Sequence, residues 1–119
     1  MQNLIIMISG RGSNMAAIIK NVENGCLKDL CRIIEVFSNK EEAPGLLTAA
    51  DHGITTYVIN SGQKKRKQFN TLLKDHLLEK APDLIILAGY MKILPAEIIR
   101  EFPGRIINIH PADTALPGI

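Results

Sequence analysis

Two side chains near the end of the sequence, Asn108 and His110, have the spacing and the chemistry that acyl transfer requires. In a β-strand, residues i and i+2 point to the same side, so both side chains can face one reacting centre. A carboxamide and an imidazole can each donate to an oxygen that becomes negative, and the histidine can also move a proton at neutral pH. The alternative is a strand-end histidine bonded to a loop, with Asn108 satisfying nearby backbone.

A second candidate site is the glycine-rich sequence SGRGSN at residues 9–14, between the first predicted strand and the first predicted helix. Small residues let backbone N–H groups approach an anion, and a helix N-terminus favours negative charge, so a phosphate group would bind well here. Ser13 can add a hydroxyl donor. The alternative is a tight turn with a Ser or Asn cap and no ligand.

The same loop differs from two common nucleotide motifs. Met15 stands where the dinucleotide fingerprint has its third glycine, and the second predicted strand ends in FSNK without an acidic residue for a ribose. No Gly-Lys-Ser/Thr closes the loop as in a Walker motif. The sequence therefore argues against a nicotinamide cofactor and against ATP.

A third candidate is LAGYMKIL at residues 87–94, which follows a predicted strand. Ligands of open parallel sheets bind outside the carboxyl ends of strands, where this segment would lie. The apolar side chains of Met91, Ile93 and Leu94 could line a slot for a flat ring. The alternative is that they are ordinary core between a strand and a helix.

Composition excludes several classes of protein. The chain has 119 residues, 46% of them hydrophobic, and a formal net charge of +2, which predicts one globular domain over residues 1–119 without a nucleic-acid or membrane partner. The basic run KKRK at residues 64–67 is interpreted as a solvated face, with a localisation signal or a nucleic-acid patch as minor alternatives. Basic residues early in a helix also leave room for an anionic ligand. Cys26 and Cys31 are predicted to be free thiols, no metal site is predicted, and a cytoplasmic location is expected.

Short apolar runs alternate with segments of helical period, which predicts an α/β fold with a Rossmann-like, open, mainly parallel sheet flanked by helices. The first helix is expected to be capped by Ser13 or Asn14 and to stop at Gly25, and 64–80 is the longest helix candidate. Pro44 and Pro95 are assigned to first turns, and Gly53 to a helix end. His52 and His76 are interpreted as structural, His76 on a polar helix face. The predicted strands are 4–9, 33–38, 55–59, 83–88 and 105–109.

Four motifs occur in one order along the chain: ISGRGSN at 8–14, VFSNK at 36–40, APDLIILAGYMKIL at 81–94 and GRIINIHP at 104–111. Together they resemble the folate-dependent formyltransferase family, and SGRGSN resembles its glycinamide ribonucleotide branch. The resemblance implies an enzyme of de novo purine biosynthesis. It would transfer a formyl group from 10-formyltetrahydrofolate, as formyl-donor co-substrate, to the amine of glycinamide ribonucleotide.

The resemblance also implies roles for individual residues. Asn108 and His110 match the catalytic pair of the family, and Asn108 would also bind the formyl donor. The ribonucleotide phosphate and ribose would be bound by Gly12, Ser13 and Asn14. The formyl donor would be bound by Arg66, Met91, Lys92, Ile93 and Leu94, where Lys92 replaces a frequent arginine and keeps its charge.

The chain departs from the family pattern after Pro111, where ADTALPGI replaces the usual continuation. No residue matches the downstream aspartate of the family, and Asp113 is not assigned that role. Because family members continue further, the chain resembles an amino-terminal portion, and RIINI at 105–109 is expected to be covered and paired on both sides. Two alternatives remain: a hydrolase that releases formate from formyltetrahydrofolate, and a non-catalytic nucleotide-binding fragment.

Overall fold

Five short apolar segments form a parallel β-sheet in the computed structural model, which describes residues 1–109. All five predicted strands are confirmed, and none of their ends differs from the prediction by more than two residues. The strands are β1 (Gln2–Ile8), β2 (Cys31–Ser38), β3 (Thr56–Val58), β4 (Leu84–Ala88) and β5 (Ile106–Ile109).

The strand order across the sheet is β3-β2-β1-β4-β5, and every neighbouring pair is parallel. The chain first builds outwards from β1 to β3 and then crosses to the other side of β1 for β4 and β5. Such a change of direction is the topological switch point at which open α/β sheets bind ligands. The Rossmann-like fold class is therefore confirmed.

Helices cover both faces of the sheet. They are α1 (Ser13–Asn24), α2 (Gly45–Asp51), α3 (Arg66–Lys80) and α4 (Ala96–Ile99), with a short 3₁₀ helix at Ser61–Gln63. Alternate residues of β1 are buried in two separate clusters, since Ile5 and Met7 pack with α3, whereas Leu4 and Ile6 pack with α1 and α2. This alternation is the period of two expected for a strand buried on both faces.

The prediction that Ser13 or Asn14 caps the N-terminus of α1 is wrong. Gly12 is the N-cap, with φ 71° and ψ 39°, and no side chain bonds to the free amides of the first turn. This left-handed conformation is readily adopted only by glycine, so the turn does not need the side chains of Ser13 or Asn14, which lie inside the helix. The predicted stop at Gly25 is confirmed.

Both proline assignments are displaced by one position. Pro44 and Pro95 are the N-caps of α2 and α4 and precede the first helical turn. Gly53 follows α2 with φ 73°, as a helix-ending glycine should. The predicted long helix is confirmed as α3, which begins at Arg66 and has 15 residues.

Strand β5 is the last element of the described part of the chain. Among residues 1–109 it pairs only with β4, and Ile107 on its surface is 46% exposed. No helix in these residues combines the length and the apolar character needed to cross a membrane.

Candidate functional site

The three candidate sites predicted from the sequence lie at one edge of the sheet, at the carboxyl ends of β1, β4 and β5, as far as residues 1–109 show them. The glycine-rich loop follows β1, the segment Met91–Leu94 follows β4, and Asn108 lies on β5. Topology alone requires this, because the carboxyl ends of parallel strands share an edge. His110 lies outside the described residues, and so does Asp113.

The glycine-rich loop leads directly into the N-terminus of α1. Because Gly12 caps the helix without a side chain, the first-turn amides are not occupied by a capping oxygen among the described residues. Ser13 is exposed and Asn14 is half-buried. The start of α2 anchors the loop, because the Gly45 amide donates to the Gly10 carbonyl oxygen at 3.0 Å. A helix N-terminus with free amides and no acidic residue in its first turn suits an anion.

The segment after β4 lines a cavity of about 470 Å³. Its exposed side chains are Met91, which is 76% exposed, and Ile93, which is 86% exposed, whereas Leu94 is buried in the core. The alternative that the whole segment is ordinary core is therefore wrong for Met91 and Ile93 and right for Leu94. The lining residues are Leu87, Tyr90, Met91, Lys92, Ile93, Leu94, Ile99, Ile106 and Asn108.

Asn108 contributes a polar group to the wall of this largely apolar cavity. It lies on β5 opposite Leu87 of β4, in register with the strand that leads into the Met91 segment. The Asn108 side chain is exposed rather than buried in the sheet. A carboxamide in this position can donate to the oxygen of a group bound in the cavity, as an oxyanion donor must.

Arg66 reaches the same segment from α3. A second, smaller cavity of about 300 Å³ is lined by Arg66 and Asn70 together with Ile93 and Leu94, which also line the first cavity. Arg66 and Asn70 are four residues apart and lie on one side of the helix. Asn70 was not predicted from the sequence, although its spacing from Arg66 could have indicated it.

Two lining side chains are held by aromatic contacts. The Lys92 Nζ lies 5.1 Å from the centroid of the Phe69 ring, a cation–π distance that fixes the ammonium beside the cavity. Tyr90 packs edge-on against Phe37, with 6.3 Å between ring centroids. Burial raises the pKa of the Tyr90 phenol above its ordinary value, so this group stays neutral at physiological pH.

The prediction that His76 lies on a polar helix face is wrong. His76 is 8% exposed, and its Nε2 lies 2.6 Å from Oε2 of Glu35, which is 1% exposed. The Tyr57 ring stacks on the imidazole with 3.8 Å between centroids. The spacing of the buried positions Phe69, Leu73 and His76 along α3 explains this burial, because they form one helical stripe.

Neither described histidine belongs to the cavities. The Nδ1 of His52 pairs with the Glu23 carboxylate at 3.0 Å on the surface, which agrees with a structural role. Within residues 1–109 there is also no group of three or more His, Cys, Asp or Glu side chains placed to bind a metal ion.

Comparisons with known proteins give a consistent family. Residues 2–117 match the family described as formyl transferase. The phosphoribosylglycinamide formyltransferase of Escherichia coli K12 is 39% identical over 111 residues, which are 92% of this chain and 51% of that protein. The trifunctional purine biosynthetic protein adenosine-3 of Bos taurus is 39% identical over 108 residues, which are 90% of this chain and 10% of that protein.

Solved structures agree with the sequence comparison. The phosphoribosylglycinamide formyltransferase of Brucella melitensis superposes with a TM-score of 0.85 at 38% identity, covering 92% of this chain and 57% of that one. Glycinamide ribonucleotide transformylase 1 of Symbiobacterium toebii gives a TM-score of 0.84 at 32% identity, covering 93% of this chain and 52% of that one. The chain thus spans about half the length of these single-activity relatives. With the family match over residues 2–117, the sheet, the loop and the cavity show that this chain belongs to the formyl transferase family.

Proposed function

We propose that this chain carries the nucleotide loop, the folate cavity and part of the catalytic centre of a phosphoribosylglycinamide formyltransferase. The reaction would move a formyl group from 10-formyltetrahydrofolate to the primary amine of glycinamide ribonucleotide. Relatives with that name match more than nine-tenths of the chain. The proposed reaction involves no metal ion, because the primary amine is itself the nucleophile and no metal-activated water is needed.

The observation that carries the proposal is the joining of three features at one edge of the sheet. The uncapped N-terminus of α1 suits a phosphate, the cavity at Met91–Leu94 suits a flat ring, and Asn108 supplies a donor on the cavity wall. Bringing a nucleotide and a formyl donor together on one edge makes transfer effectively intramolecular, which is a large part of catalysis for two-substrate reactions.

Individual residues take roles that follow from their positions. Gly12, Ser13 and Asn14 are proposed to bind the ribonucleotide phosphate and ribose through backbone amides and the Ser13 hydroxyl. The folate ring would lie against Met91, Ile93 and Leu94 in the larger cavity. Two cations, Lys92 within that segment and Arg66 in the adjoining smaller cavity, would attract the carboxylates of the folate tail.

The proposed chemistry is direct transfer. The amine nitrogen attacks the formyl carbon, a C–N bond forms, and the carbonyl electrons move to the oxygen. The Asn108 amide, and His110 as a proton-bearing partner, would donate to that oxyanion. When the intermediate collapses, the bond to the folate nitrogen breaks, that nitrogen takes up a proton and the attacking amine loses one. The products are formylglycinamide ribonucleotide and tetrahydrofolate.

The first experiment compares Asn108→Ala with the parent protein in a spectroscopic assay of formyl transfer. We expect kcat to fall by about 10²- to 10³-fold, as for the loss of one oxyanion donor. The dissociation constant of the ribonucleotide should not change, because β4 lies between β5, which carries Asn108, and β1, which leads into the glycine-rich loop. The matched control is Asn24→Ala, which removes an exposed carboxamide at the far end of α1.

Two results would favour the alternatives. Release of formate from 10-formyltetrahydrofolate at the same rate with and without ribonucleotide would indicate a hydrolase. A folded protein that binds the ribonucleotide but transfers no formyl group would indicate a nucleotide-binding module. A drop in ribonucleotide affinity in Asn108→Ala equal to the drop in kcat would contradict the role given to Asn108.

Two further parts of the proposal concern context. We propose that residues 1–119 form one formyltransferase amino-terminal domain, which the family match over residues 2–117 supports. We also propose a cytoplasmic location with small-molecule partners only. Cys26 and Cys31 are free thiols, the state that the reducing cytosol maintains.

A further inference from the structure

A line of hydrogen bonds crosses the carboxyl edge of the sheet. Ser9, directly after β1, accepts at Oγ from the Met91 amide at 2.8 Å and donates to Asn39 Oδ1 at 2.6 Å. Asn39, directly after β2, donates from Nδ2 to Ser61 Oγ at 3.0 Å. Because Ser61 follows β3 and Met91 follows β4, the four residues occur in the spatial order of the strands, from β3 to β4.

The Met91 amide can only donate, so Ser9 Oγ is the acceptor of that bond. The Ser9 proton is then available to the Asn39 side-chain oxygen, which can only accept. The Asn39 side-chain amide nitrogen then faces Ser61. The Ser61 hydroxyl in turn donates to the backbone carbonyl oxygen of Asn39 at 3.3 Å. Each polar side-chain atom of Ser9, Asn39 and Ser61 therefore has at least one hydrogen-bond partner.

Burial makes this line rigid. Ser9 is 5% exposed and Asn39 is 2% exposed, so water cannot replace a lost partner at low cost. Ser9 is also the residue that leads into the glycine-rich loop, and Met91 is the first residue of the segment that lines the larger cavity. One hydroxyl thus fixes the distance between the proposed nucleotide loop and the proposed folate segment.

We propose that Ser9 is a positioning residue that sets Met91–Leu94 against the glycine-rich loop, with Asn39 orienting the Ser9 hydroxyl. The consequence for ligands rests on the proposed function. Ser9 acts through Met91 and touches neither reactant. Its loss should therefore loosen the folate segment more than the nucleotide loop, which has its own anchor in the bond from Gly45 to Gly10.

The test begins with a measurement that needs no ligand, the hydrogen exchange rate of the Met91 amide by NMR. In Ser9→Ala we expect this rate to rise about fivefold, the effect of losing one buried hydrogen bond. The matched control is Ser38→Ala, because Ser38 is a fully buried serine at the same edge whose hydroxyl bonds, among residues 1–109, only to the Lys40 backbone. Its Met91 amide should exchange at the parent rate.

Two further variants keep the test decisive. Ser9→Thr retains the hydroxyl and should restore slow exchange of the Met91 amide. If Ser9→Ala does not fold, Ser9→Cys replaces it, since a thiol is nearly the same size but a weak acceptor. An unchanged Met91 exchange rate in a folded Ser9→Ala or Ser9→Cys protein would overturn the proposal.

The second arm compares ligands by calorimetry. In Ser9→Ala the dissociation constant for 10-formyltetrahydrofolate should rise about fivefold, and that for glycinamide ribonucleotide should stay constant. Equal losses for both ligands, or equal losses in Ser38→Ala, would show a general loss of structure and would also overturn the proposal. If the parent protein binds neither ligand, the proposed function fails, and the exchange measurement alone decides the positioning role.

Discussion

Polar side chains are buried in two regions of this sheet, and the two regions are built differently. At the carboxyl edge, Ser9 and Asn39 are neutral and fully hydrogen-bonded. Under α3, the buried pair Glu35–His76 is ionisable, and the second carboxylate oxygen of Glu35 has no partner among the described residues. The first region joins four strand ends, whereas the second lies inside one hydrophobic layer.

This difference indicates which of the two sets of buried polar side chains supports the candidate functional site. A neutral network with every partner present adds rigidity at little desolvation cost. A buried pair of ionisable side chains has a large desolvation cost and often adds no net stability over apolar side chains. Neither Glu35 nor His76 lines a cavity at the sheet edge. We therefore expect the edge network to be needed for function and the core pair to be replaceable as a unit.

The largest expected effect comes from breaking the core pair on one side only. His76→Ala leaves the Glu35 carboxyl buried without its partner, so the free energy of unfolding should fall by about 3–5 kcal/mol. Urea unfolding followed by circular dichroism measures this loss. In the double variant Glu35→Leu with His76→Leu, the stability should return to within about 1 kcal/mol of the parent or exceed it. A double variant as unstable as His76→Ala would show that the pair itself stabilises the fold.

An intermediate effect is expected at the loop. Gly12→Ala forces a side chain into a left-handed conformation at φ 71° and brings its Cβ to 3.0 Å from Met15 Cε. The free energy of unfolding should fall by about 1–2 kcal/mol. Gly10→Ala is the control, since an added Cβ there meets nothing within 4 Å. Thermal unfolding of both variants tests this prediction. An equal loss of unfolding free energy in the two variants would show that position 12 does not specifically require glycine.

The smallest effect concerns Tyr90, whose ring lies between the two regions. Because burial raises its pKa in the folded protein, the unfolded chain loses the phenolic proton first as the pH rises above about 10. Stability is therefore lost with rising pH, by up to about 1.4 kcal/mol per pH unit for this one group. Tyr90→Phe should lose less stability between about pH 9 and pH 11 than the parent. Parallel curves for the two proteins would contradict the burial of the hydroxyl.

Several features of the fold were predictable because they depend on local sequence. Most of the strands are largely apolar segments bounded by polar or turn residues, and their predicted positions were confirmed to within two residues. The glycine-rich loop after β1 and the Met91 segment after β4 share an edge because parallel strands require it. Gly53 ends α2 because its positive φ favours glycine.

Other features depend on which faces meet, which the sequence alone does not specify. The burial of His76 follows from the side of α3 that packs on the sheet, where Glu35 of β2 provides its partner. The line from Ser61 to Met91 depends on the strand order, which places β1 between β2 and β4. The smaller cavity likewise brings Arg66, at the start of a helix, and Ile93, in a loop distant in sequence, to one wall.

The central position of β1 also has a consequence for synthesis of the chain. Its partner β4 begins 80 residues after Leu4, at Leu84. At a translation rate of roughly 5–20 residues per second, β1 waits about 4–16 seconds on the ribosome before that partner exists. During this interval the apolar residues of β1, which are fully buried in the folded protein, are exposed and can associate with other nascent chains. Strand β1 therefore gains its second strand partner long after it is made, so chaperone demand should be greatest for this strand.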